Sequence, residues 1–182
     1  MKWIPATMLP LAALGTAFGA AVIPIVAHAK VYVSVEQSQH DIFGPTALAP
    51  FPVALTSAQQ DQMHEASSVS LPFVGNRIWK AADGGWFVVD EVVGKHESIT
   101  YAVGINADGT VKRVEILEYR ESYGYEVAEA KWLQQFVGKS QTAPLKLGKD
   151  IENIAGATLS SKHLSDGVKR VLVMHALVLK GH

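Results

Sequence analysis

No cysteine occurs in the 182 residues. That absence excludes disulfides, thiolate-bound zinc, iron–sulfur clusters, c-type haem attachment and any cysteine nucleophile. Charge of one sign is missing too. The formal net charge is −1, with 16 basic and 17 acidic residues, so nucleic-acid binding has no electrostatic footprint. Charged residues make up only 18% of the chain against 48% hydrophobic, a balance that excludes global disorder and supports a buried core. Neither a Gly-x-Ser-x-Gly elbow, a phosphate loop nor a His-x-x-x-His spacing occurs, and so the sequence nominates no catalytic residue and no metal ligand. Chemistry must come from oxygen, nitrogen or a borrowed cofactor.

The N-terminus has its own character. Lys2 is the only charge before Lys30, and the apolar stretch Ile4 to Val26 between them ends in Ala27-His28-Ala29. This reads as a signal peptide over 1–29, cut after Ala29, with action outside the cytoplasm, the bacterial periplasm being the natural compartment. The alternative is an uncleaved anchor facing the periplasm, because about 20 apolar residues span a bilayer.

The rest divides into an N-terminal strand, loop and helix segment (30–75) and a main domain (76–182). Val31 to Val35 predicts a first strand, Ser38 to Thr56 a loop with a short helix at its start, and Ser57 to Ser67 a helix capped by Thr56 or Ser57. Asn76 to Ala82, Trp86 to Gly94, Ser98 to Ile105 and Val111 to Tyr119 predict an antiparallel meander, with turns at Asp83-Gly84-Gly85 and Asn106 to Gly109. Apolar spacing predicts helices over Val127 to Val137 and Ser161 to Leu179. The fold class is therefore α+β: a single domain with an antiparallel sheet and helices packed against it.

Ahead of the last helix stands Glu152-Asn153-Ile154-Ala155-Gly156-Ala157-Thr158-Leu159-Ser160-Ser161. Small residues before a helix start leave backbone N–H groups free for an anion, commonly phosphate. An ordinary capped loop has the same local features.

This stretch resembles the FMN-binding domain family, shared by flavin-carrying subunits of sodium-pumping and Rnf electron-transport complexes and by small exported proteins. The family pattern is an acid, two residues, Ser or Thr, then Gly-Ala-Thr, an apolar residue and Ser or Thr. Here Glu152 stands where Asp is usual, and Ala155 replaces the Ser or Thr. Further likeness lies in Gly84 to Glu97, in Glu118 to Glu126 and in Trp132 to Lys139. The resemblance implies FMN as cofactor, joined to Thr158 through a phosphoester made by an exported flavin transferase. It places Ala155, Gly156, Ala157, Leu159, Ser160 and Ser161 around the phosphate. Glu121, Tyr123 and Gly124 come from the second matching element.

Gly124 permits close backbone approach to a ligand, Tyr123 or Tyr125 could stack on the flavin ring, and Glu121 braces the turn or touches the cofactor. Trp132 reads as core. His96 lies in a strand connection, and His163, at the start of the last helix, reads as a surface residue, the alternative being a neighbour of the flavin phosphate. The expected function is an exported electron carrier serving membrane or periplasmic redox proteins. A small flavin-dependent reductase and a module that has lost its flavin are the alternatives.

Overall fold

The computed structural model describes residues 30–182; the leader read over residues 1–29 lies outside them. The chain forms β1 (Lys30–Val31), α1 (Val35–Phe43), β2 (Leu48–Pro50), α2 (Ser57–Ser67), β3 (Ile78–Ala81), β4 (Trp86–Val93), β5 (Ser98–Ile105) and β6 (Val111–Tyr119). Three short turns of helix follow, the middle one α3 (Ala130–Leu133), and then α4 (Thr158–Met174), which ends in a wider π-helical turn, His175–Leu179.

The strands make one six-stranded antiparallel sheet in the order β1-β6-β5-β4-β3-β2. Its two faces account for the run Trp86-Phe87-Val88-Val89. Side chains alternate across a strand, so Trp86, Val88 and Val92 join the main core, while Phe87 and Val89 meet Ile42 and Phe43 of α1 on the other face. A sheet covered on both faces needs apolar residues at nearly every position. The main core takes Leu164, Val168, Val171 and Leu172 from α4 and Met63 from α2. Each such side chain, fully buried, contributes about 1.5–3 kcal/mol.

Gly167 lies on the sheet side of α4, where a Cβ would overlap the Tyr101 hydroxyl. A glycine that weakens the helix on its own thus lets it sit closer to β5. Beside it Arg170, 2% exposed, makes a two-pronged ion pair with Asp90 (Nη2–Oδ1 2.8 Å, Nε–Oδ2 3.0 Å). Tyr101 donates to the same carboxylate at 2.6 Å. Burial, reinforced by the Asp90 charge, pushes the Tyr101 hydroxyl well above the ordinary tyrosine range.

Four expectations change. The stretch read as loop over Ser38 to Thr56 holds β2, paired with β3, and the helix at its start begins earlier, at Val35. The first strand is two residues long rather than spanning Val31 to Val35, because Ser34 accepts the Gln37 N–H at 3.1 Å and starts α1; a cap outweighs the β-branched run. The helix expected over Val127 to Val137 is broken at Glu129, whose backbone is extended (φ −71°, ψ 132°). The three short turns there bury Val127 and the Trp132–Phe136 pair. The last helix begins at Thr158, not Ser161, and this difference bears on the site.

Candidate functional site

β6 ends at Tyr119 opposite Ile99, near the start of β5, and β4 ends at Val93 opposite Ser98. The register therefore brings the β4–β5 loop, Gly94 to Glu97, to the same end of the sheet as the segment after β6. The start of α4 arrives there too. These three pieces line a cavity of about 470 Å³, a size suited to a small-molecule ligand. Seven of the residues singled out from sequence line it: Glu121, Tyr123, Gly156, Ala157, Thr158, Leu159 and Ser160.

Thr158 is exposed as the first residue of α4. Ala157, at the cap position, offers no side-chain acceptor. The first helical bond runs from Ser161 N–H to the Ala157 carbonyl at 2.9 Å, and the N–H groups of Thr158, Leu159 and Ser160 have no protein partner among the described residues. Three amide donors at the positive end of a seventeen-residue helix suit a phosphate.

Gly124 packs directly behind the cavity. It holds φ +79°, and a Cβ on it would stand 2.6 Å from the Ala157 Cβ. Tyr119 secures the same corner by donating to the Tyr123 carbonyl at 2.6 Å, with its hydroxyl 3.4 Å from Ser160 Oγ. Burial raises the Tyr119 hydroxyl above its usual range, against the bond to Ser160. Tyr123 stands at the mouth, 82% exposed, with its ring free to cover a ligand. The Tyr125 ring is tilted against Tyr119, with centroids 5.5 Å apart, so one of its faces is already used.

Three predicted residues stand outside the lining, Gly124 behind it and two others. Ala155 is exposed ahead of the turn. Ser161 is fully buried and donates to the Ala157 carbonyl at 3.0 Å, so its hydroxyl serves the helix. Trp132 is core, as read from the sequence, and its ring N–H holds the Glu152 carbonyl at 2.8 Å. Gln135 accepts the Glu152 N–H at 2.7 Å. Those two bonds anchor the backbone leading into the Gly-Ala-Thr turn and leave the Glu152 side chain exposed.

The sequence reading gave no site role to Lys95, His96, Glu97 or Ser122, yet all four line the cavity, His96 as an exposed residue. The strand pairing itself carried the signal, because a loop joining β4 to β5 must lie beside the residues that follow β6. His163, one turn into α4, is tied to the same loop. Its Nδ1 donates toward the carbonyls of Val93 and Gly94, at 2.8 and 2.7 Å.

A larger cavity of about 620 Å³, between α1, β6 and α3, holds none of the predicted site residues. Residues 94–173 match the family model of the FMN-binding domain. The match takes in every residue that lines the 470 Å³ cavity. No curated protein matches the chain.

Proposed function

Since residues 94–173 belong to the FMN-binding domain family, with FMN as cofactor, we propose that the chain is an exported electron carrier whose FMN is esterified to Thr158. When bound, FMN supplies reversible uptake of one or two electrons. The observation that carries the reading is the placement of Thr158: exposed, on the cavity wall, and followed by amide donors without partners. Its hydroxyl is the attachment point, and the N–H groups of the first turn hold the phosphate oxygens.

Gly156 (φ +84°) has nothing within 4 Å of its missing Cβ, so the turn stays clear on the ligand side. Leu159, 44% exposed, and Tyr123 give the ring apolar and aromatic surface. Glu152 is exposed, where an exported flavin transferase can reach it. The alternative of a module without flavin has no support from the site, because the cavity is open and its phosphate donors are free. Electron transfer to membrane or periplasmic redox proteins fits a cofactor held near exposed Thr158, Leu159 and Tyr123.

Co-expression with a flavin transferase, followed by a denaturing gel, tests the reading. Flavin fluorescence should remain in the wild-type band and in Ser160→Ala, and should vanish in Thr158→Ala. A wild-type band without fluorescence counts against the ester. To test the carrier role, the reduced protein is mixed with one-electron acceptors; fast exchange without saturation supports it, and saturable turnover of one organic substrate overturns it.

A further inference from the structure

Glu121 is 7% exposed and lies in the cavity wall. Its Oε1 accepts two backbone N–H groups, from His96 at 2.6 Å and Glu97 at 3.1 Å. The other oxygen, Oε2, has no partner among the described residues and is not sealed in the core. A carboxylate that accepts with one oxygen and leaves the second open differs from a brace that uses both.

Two further residues determine where that carboxylate sits. A Cβ on Gly94 would stand 2.6 Å from Oε1 and 3.0 Å from Ile99 Cδ1. Only glycine allows the carboxylate to come down on the loop at this point. From the opposite side His163 donates to the carbonyls of Val93 and Gly94. The loop is thus gripped through its N–H groups by Glu121 and through its carbonyls by the helix that carries Thr158. Lys95 and Glu97 also line the cavity, but both are exposed, and water screens their charges. Glu121 is the one carboxylate of the lining that is largely out of water.

We propose that Glu121 sets the reduction potential of the bound FMN through the charge on its open carboxylate oxygen, with Gly94 and His163 as positioning residues; the proposal rests on the FMN reading of this cavity. Reduction delivers negative charge to the flavin ring. A buried carboxylate in the same wall opposes it, and so holds the potential down. Charges several ångström apart at an effective dielectric near 20 interact strongly enough to change the reduced-to-oxidised ratio about tenfold.

The test is a reductive titration of the FMN-loaded protein against reference dyes. In Glu121→Gln the amide oxygen still accepts both N–H groups, while the charge is lost and an NH2 donor takes the place of the open oxygen. Its midpoint potential should rise, with about a tenfold higher reduced-to-oxidised ratio at fixed poise. Gly94→Ala and His163→Ala keep the charge but displace it, and should shift the potential the same way by less. Glu65→Gln, an exposed change on α2 outside the lining, should leave it in place. An unmoved potential in FMN-loaded Glu121→Gln overturns the proposal and leaves Glu121 a structural brace. If that variant does not fold or load, unmoved potentials in both Gly94→Ala and His163→Ala overturn it instead. Wild-type protein that takes up no FMN overturns the underlying reading, and the proposal with it.

Discussion

Single residues govern the site through space as much as through chemistry. Gly124 combines a left-handed backbone with contact against Ala157, so Gly124→Ala meets strain and overlap together. It should cost about 1–3 kcal/mol and lower FMN content, read by urea unfolding and by flavin absorbance of the purified protein. Unchanged values for both would mean that the corner is looser than its geometry implies. The buried Arg170–Asp90 pair is governed by charge instead. Removing one partner strands the other, so Asp90→Ala should destabilise by about 3–5 kcal/mol. Denaturant titration checks this, and a loss below about 1 kcal/mol would contradict it. The pair lies away from the cavity lining, so FMN content per folded molecule should hold.

At the scale of elements, α4 does two tasks. Its first turn presents Thr158, and its middle seals the sheet. Gly167→Ala gains about 1 kcal/mol of helix propensity but pushes a methyl against Tyr101 and Val92, at a cost of about 1–3 kcal/mol. Net destabilisation is expected by chemical denaturation, and a more stable variant would show that α4 can lift from β5 freely.

The same scale shows what the sequence made legible. The β3–β6 meander was readable because alternation, Asp83-Gly84-Gly85 and Asn106 to Gly109 all agreed. The helix expected over Val127 to Val137 was not, since its apolar spacing is met by three short turns anchored through Trp132. The Thr158 cavity wall was readable from the Gly-Ala-Thr segment. The opposing wall, Lys95 to Glu97, was not, because those residues owe their place to strand register rather than to any local pattern.

The molecule as a whole is α+β, with the cofactor region and the closing π-helical turn both built on α4. In that turn His175 is 6% exposed, and burial, aided by Lys180, lowers its pKa below the usual 6.5. The unfolded chain therefore binds this proton more readily than the folded one. The contribution is complete above pH about 6.5 and is lost as pH falls toward the folded-state value. Wild type should lose melting temperature between pH 7.5 and 5.5 more steeply than His175→Gln, and parallel profiles would remove His175 from the account.

The central claim is that FMN is held at Thr158, and peptide mapping by mass spectrometry of protein matured with a flavin transferase tests it most directly. The account predicts one FMN adduct on the peptide containing Thr158, with fragment ions that place it on that residue, and unmodified peptide in Thr158→Ala. An adduct on Ser160 or Ser161, or one that survives in Thr158→Ala, would contradict it.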